Sequence, residues 1–96
     1  MTKVFIAQDG DELVLTAEGH ATGRSDVCAG VSAIVYALAG YALNESAKPP
    51  MLRLASGDVY IRCKASANLR AAFEMASIGL KQIAEGGALV KVEGNI

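Results

Sequence analysis

The chain has 96 residues, of which 52% are hydrophobic and 20% are charged, and its formal net charge is −1. This length is typical of a single domain, which we expect to span residues 1–96. The near-neutral charge, without clustered basic residues, argues against direct binding of nucleic acid. Two cysteines and an N-terminus that enters a strand directly, without an export signal, indicate free thiols in a reducing cytoplasm.

Two strands joined by a tight turn are predicted at the start of the chain. Residues 4–7 and 12–18 are rich in strand-forming side chains, and in the second segment Leu13, Leu15 and Ala17 alternate onto one face. Asp9-Gly10 between them is a strong hairpin signal, because glycine adopts positive φ at little cost.

A long apolar helix is predicted over residues 27–45, after a polar loop at 19–26. Ser25 or Asp26 is expected to cap its N-terminus. The helix is apolar nearly all round, so we expect the sheet, a second helix and a partner to cover it, with Ala37 and Leu38 fully buried. Its apolar run, residues 27–43, contains Gly30 and lies at the short limit for a bilayer, which favours a core helix and no membrane.

The second half repeats the strand–strand–helix order. Strands are predicted at 51–55 and 59–64, a helix that starts after a cap at Ser66 or Asn68 and runs to about residue 85, and a last strand at 88–93. Cys63 is expected in the core. The order ββαββαβ predicts a two-layer α/β sandwich, with an antiparallel or mixed sheet and two helices.

His20 and Cys28 are the residues most suited to chemistry. His20 is the single histidine, and it precedes the predicted helix whose first turn holds Cys28. A helix N-terminus stabilises a thiolate through free N–H groups and its dipole, and the thiolate is the nucleophilic form of cysteine. An imidazole nearby could pair with that thiolate and protonate a leaving group. The alternative is that both residues are incidental, since free cysteine is often a small buried hydrophobe.

Three further residues could support such a site. Asp26 is either only the helix cap or a third group that orients His20. Ser32, four residues after Cys28, either bonds back to a helix carbonyl or acts at the thiol. The backbone N–H groups of Cys28 and Ala29 are candidates to bind an oxyanion. One histidine and two distant cysteines do not make a metal site, and no cofactor is expected.

The sequence around this pair resembles the signature of the ribosomal-processing cysteine proteases, the family called Prp. The resemblance rests on Gly19-His20-Ala21 and on the run Val-Cys-Ala-Gly-Val-Ser at residues 27–32. It implies that His20 and Cys28 form a catalytic dyad. The loop between them is about four residues shorter than the family's, and Asp26 stands two rather than three residues before the cysteine, as in a divergent, phage-borne copy.

The resemblance also implies a substrate and an assembly. Family members trim an N-terminal extension from a large-subunit ribosomal protein, in ribosome biogenesis, and a phage-borne relative could instead cut virion structural proteins. The alternative function is a non-catalytic homodimeric factor for ribosome or virion assembly. A homodimer is expected in either case, from the family and because the first helix has apolar residues all around its circumference, called its girth below. The residues of that girth are Val31, Ile34, Val35, Leu38, Tyr41 and Ala42.

Overall fold

The structure is a computed structural model that describes residues 1–21, 23–87 and 89–96. Its elements follow the predicted order, ββαββαβ. They are β1 (Thr2–Asp9), β2 (Glu12–Glu18), α1 (Ser25–Glu45), β3 (Met51–Ala55), β4 (Asp58–Lys64), α2 (Ala67–Glu85) and β5 (Val90–Glu93). The predicted α/β sandwich with two helices is therefore confirmed.

The five strands form one mixed sheet in the order β3-β4-β2-β1-β5. β1, β2, β4 and β3 pair antiparallel, while β5 joins β1 in parallel. The register aligns Ile6, Leu15 and Ile61 across the three central strands. All three side chains are fully buried, so alternation along each strand directs one face of the sheet toward the core.

Both helices cover that face and contact each other. α2 contributes a stripe with helical spacing, in which Leu69, Phe73 and Leu80 are fully buried. The predicted cap at Ser66 is confirmed, because its hydroxyl accepts a hydrogen bond from the Leu69 N–H at 3.2 Å.

Several predicted boundaries shift. β1 extends beyond residues 4–7 at both ends, and β5 begins at Val90; Ala88, where the last strand was expected to start, lies outside the described residues.

The cap prediction for α1 is wrong. Ser25 and Asp26 are its first two helical residues, and Arg24 occupies the N-cap position without a side-chain cap hydrogen bond. The helix gains a half-turn that its apolar pattern does not reveal.

α1 is less enclosed than its composition suggested. Val31, Val35 and Leu38 are buried as part of one stripe, which confirms the predicted burial of Leu38, but Ala37 is exposed and its predicted burial is wrong.

α1 is also the one helix in the described residues that is long and apolar enough to cross a membrane. Its buried stripe against the sheet and α2 is what a core helix requires.

The stripe predicts an asymmetric response to shortening leucines on α1. Leu38→Ala should lower the free energy of unfolding by about 2–5 kcal/mol, because it leaves a cavity under the helix. Leu43→Ala, on the same helix but 56% exposed, should change it by no more than about 0.5 kcal/mol. Urea titration followed by circular dichroism measures both. Equal losses would contradict this orientation of α1.

Candidate active site

A small cleft opens where the end of β2, the start of α1 and the β3–β4 turn meet. Its volume is about 170 Å³. His20, Cys28 and Ser32 line it, so the structure brings three of the predicted site residues together. The rest of the lining comes from β1, from β2 and the residue after it, from α1, and from the β3–β4 hairpin: Thr2, Ala17, Gly19, Val31, Val35, Tyr36, Ala55, Ser56, Gly57 and Val59. The other two candidates, Asp26 and Ala29, are not among the lining residues.

Cys28 is the fourth residue of α1 and is half-buried. Its thiol donates a hydrogen bond to the backbone carbonyl of Ala21, with 3.7 Å between sulfur and oxygen. Ala21 follows His20 directly and is itself buried. The thiol is therefore held at the wall of the cleft that is formed by the segment leading out of β2.

The backbone at Cys28 departs from expectation. Its N–H donates to the carbonyl of Arg24 at 3.1 Å, the ordinary bond of an α-helix, so it is not a free oxyanion donor. In the same register the Ala29 N–H is directed at the carbonyl of Ser25, and Ala29 faces solvent. The expectation that the N–H groups of Cys28 and Ala29 bind an oxyanion is therefore wrong. The reason is that α1 begins at Ser25, so the unpaired N–H groups of the helix precede Cys28.

His20 lies two residues beyond the end of β2 rather than at the end of the strand itself. Gly19, which precedes it, has φ +85° and packs against the backbone carbonyl of Met1, where no Cβ would fit. The Gly19 N–H donates to the carbonyl of Gly57 at 2.9 Å. These contacts fix the backbone from which the exposed imidazole extends into the cleft.

Asp26 takes neither of the roles predicted for it. Its carboxylate forms a two-pronged ion pair with Arg24, with Nε–Oδ1 and Nη2–Oδ2 distances of 3.0 and 2.9 Å. Hydrogen bonds from Arg24 are the main cause that lowers the pKa of Asp26 to about 2. The pair is exposed to solvent, so Asp26 is a surface anion in the first turn of α1, where the helix dipole favours it.

The second cysteine is set apart from the cleft. Cys63 lies in β4 and is 3% exposed, which confirms the expectation that it packs in the core. Burial, and secondarily the charge of Glu12, raises the pKa of its thiol. Both thiols are free, and Cys63 is thus an internal reference for any reagent that modifies Cys28.

Among residues 1–21, 23–87 and 89–96, no cluster of histidine, cysteine and acidic residues suits a metal ion.

Sequence reasoning missed the wall formed by the β3–β4 turn. Ala55, Ser56 and Gly57 line the cleft, and Gly57 lies against the imidazole of His20. In the sequence, Ser56-Gly57-Asp58 is an ordinary hairpin turn between two strands. Nothing local ties it to residue 20; only the pairing of β2 with β4, which joins Glu18 to Asp58, brings the two segments together.

Comparison with solved structures places the fold among known proteins. Two structures of the essential ribosomal processing protease Prp from S. aureus match 99% of this chain over 100% of their own. One is a complex with a covalently linked product peptide (20% identity, TM-score 0.81), and the other a complex with a substrate peptide (19%, TM-score 0.77). A protein from Streptococcus mutans matches 99% of this chain over 96% of its own, at 19% identity and TM-score 0.74.

No protein-family model and no curated protein matches the chain. The structural matches nevertheless cover almost all of it, so the resemblance first seen around His20 and Cys28 extends to the whole fold. At these identities the matches establish the fold that this chain shares with Prp.

Proposed function

We propose that this chain is a cysteine endopeptidase of the Prp kind, with Cys28 as nucleophile and His20 as its acid–base partner. The observation that carries the proposal is the cleft itself. It gathers the chain's one histidine and its one partly accessible cysteine at the start of a helix. It does so in the fold of a protease whose structures hold peptides.

The covalently linked product peptide in one S. aureus structure supports a nucleophilic mechanism. A product peptide held by a covalent link is consistent with a nucleophilic side chain in the site. Of the side chains that line the cleft here, the Cys28 thiol is the strongest nucleophile once ionised.

The reaction would run in two halves. His20 accepts the thiol proton, and the Cys28 sulfur attacks the scissile carbonyl carbon to give a tetrahedral oxyanion. The intermediate collapses as the imidazolium gives its proton to the leaving amine, which leaves a thioester on Cys28. Water, activated by the neutral imidazole, then attacks the thioester, releases the carboxyl product and returns the proton to sulfur.

The resting geometry adds a requirement to this mechanism. The thiol hydrogen is directed at the Ala21 carbonyl, and the imidazole lies against Gly57. Proton transfer from Cys28 to His20 therefore needs rotation about the Cys28 side chain, or movement of the loop that carries Ala21. Catalytic hydrogen bonds are often longer in a free enzyme and tighten when substrate binds.

The substrate that we propose is a large-subunit ribosomal protein with an N-terminal extension, which would place the chain in ribosome biogenesis in the cytoplasm. The name of the S. aureus relative, a ribosomal processing protease, supports this substrate. Two free thiols are consistent with a reducing compartment. A phage scaffold or capsid precursor is the alternative substrate and forms a second arm of the test.

Two contacts are compatible with the alternative, a non-catalytic assembly factor. The thiol is engaged with the Ala21 carbonyl, and the Cys28 N–H is already bonded to Arg24. A vestigial site could keep both contacts unchanged. The two functions differ in whether peptide bonds are broken.

Cleavage of the extended ribosomal protein, followed by mass spectrometry, tests the proposal. Wild type should remove the extension, Cys28→Ala should abolish cleavage, and His20→Ala should slow it by about 10²-fold or more. Cys63→Ala is the matched control and should retain activity, since Cys63 is buried away from the cleft. If wild type cut neither the ribosomal nor the phage precursor, the proposed endopeptidase function would be contradicted.

We further propose that the chain is a homodimer, although less apolar surface of α1 is left uncovered than its sequence suggested. Four of the six girth residues, Val31, Val35, Leu38 and Ala42, are buried within the protomer. The apolar surface left over lies between the outer sides of α1 and α2. It is a groove of about 760 Å³ lined chiefly by Ala33, Ile34, Ala37, Tyr41, Ala71, Ala72, Met75 and Gly79.

This α1–α2 groove could be covered by a second copy without blocking the cleft. The two sets of lining residues have no member in common, because the cleft uses the opposite flank of α1. Met75, in the groove, is 73% exposed, and Ile78, on the neighbouring surface of α2, is 59% exposed. A symmetric contact that covers both should bury at least about 1,000 Å² in total.

Light scattering at micromolar concentration tests the assembly. Wild type should have twice the mass of the 9.9 kDa chain. Met75→Glu should give a monomer, because it puts a charge in the apolar contact. Met51→Glu, the same change at a 62% exposed methionine on the edge strand β3, should stay dimeric. A monomeric wild type would contradict the proposal.

A further inference from the structure

The contact between Gly57 and His20 assigns a role to the β3–β4 turn. A Cβ built on Gly57 would collide with His20 Nε2 and would stand 3.0 Å from both Cδ2 and Cε1. The imidazole thus occupies the space that a side chain at residue 57 would need. Real Cβ atoms essentially never approach other atoms so closely, so a side chain here requires a shift, and the ring, at the end of an exposed side chain, is the part that moves most easily.

The turn is also tied to the backbone that carries the imidazole. The carbonyl of Gly57 accepts the hydrogen bond from the Gly19 N–H at 2.9 Å, one residue before His20. Gly57 has φ +70°, a region that glycine adopts freely and that asparagine tolerates better than most other residues. One residue therefore supports both the main chain and the ring of the histidine.

We propose that Gly57 is a positioning residue for His20: its bare Cα forms the wall that sets where the imidazole stands in the cleft. Resting on the proposed function, this makes the turn a determinant of proton transfer between His20 and Cys28. A side chain at residue 57 would shift the ring and impair the chemical step. Binding of peptide elsewhere in the cleft would be affected less.

A second turn glycine supplies a matched control. Gly10 lies in the β1–β2 turn with φ +63°, close to the value at Gly57, but a Cβ there would meet nothing within 4 Å. Substitutions at the two positions impose similar backbone strain in the same sheet. They differ in whether a new side chain meets His20.

The experiment compares Gly57→Asn with Gly10→Asn, since asparagine limits the strain at positive φ. Because the chain has one histidine, its two ring protons give an unambiguous pair of signals in a proton NMR spectrum. Gly57→Asn should move both signals, whereas Gly10→Asn should leave them in place. Both variants should unfold at similar urea concentrations. Unmoved histidine signals in folded Gly57→Asn would overturn the proposal.

Kinetics provide the functional readout. Gly57→Asn should lower kcat by about tenfold or more while KM changes less, because displacing a reacting group by about 1 Å is costly. Gly10→Asn should keep both constants near wild type. Equal kcat values in the two variants would overturn the role in catalysis. A wild type that cuts no substrate would refute the proposed function, while the NMR comparison would still decide whether Gly57 positions His20.

Discussion

The packing of α1 against the sheet is the constraint on which the cleft depends. Val31 and Val35 are buried under the helix and also line the cleft. Cys28 lies three residues before Val31, on the same side of the helix, so burial of the valines fixes the direction in which the thiol extends. Ser32, one turn after Cys28, faces the same cavity. The rotation of α1 that buries the two valines therefore also directs the Cys28 thiol toward the cleft.

The histidine is held by a separate part of the fold. Pairing of β2 with β4 brings the β3–β4 turn next to Gly19, and the Gly57 carbonyl and Cα then support the backbone and ring of His20. The thiol and the imidazole thus belong to different supports, a helix and a hairpin. Ala21 links them, since it follows His20 in sequence and its carbonyl accepts from the Cys28 thiol. Movement of this short segment would alter both partners together.

Sequence reasoning predicts what local patterns encode. The structure confirms three such features: the alternation of Leu13, Leu15 and Ala17, the cap at Ser66 and the order of the elements. They follow from the spacing of apolar residues along strands and helices and from the chemistry of helix caps. The predicted cap of α1 is wrong, because the Asp26 carboxylate pairs with Arg24 instead of a backbone N–H. The spacing of residues in the sequence does not show which of these two partners the carboxylate takes. Gly57 was missed because its importance arises from pairing between strands that are distant in the chain. Contacts between strands that are distant in the chain determine the geometry of the cleft, and a single sequence carries no signature of them.

The rate at which iodoacetamide alkylates Cys28 near neutral pH reports whether His20 and Cys28 act together. Peptide mapping separates Cys28 from buried Cys63, which should stay unmodified in the folded protein. Cys28 should react far faster than a free thiol, and His20→Ala should slow the reaction markedly. Equal rates in wild type and His20→Ala would contradict the pairing of His20 with Cys28.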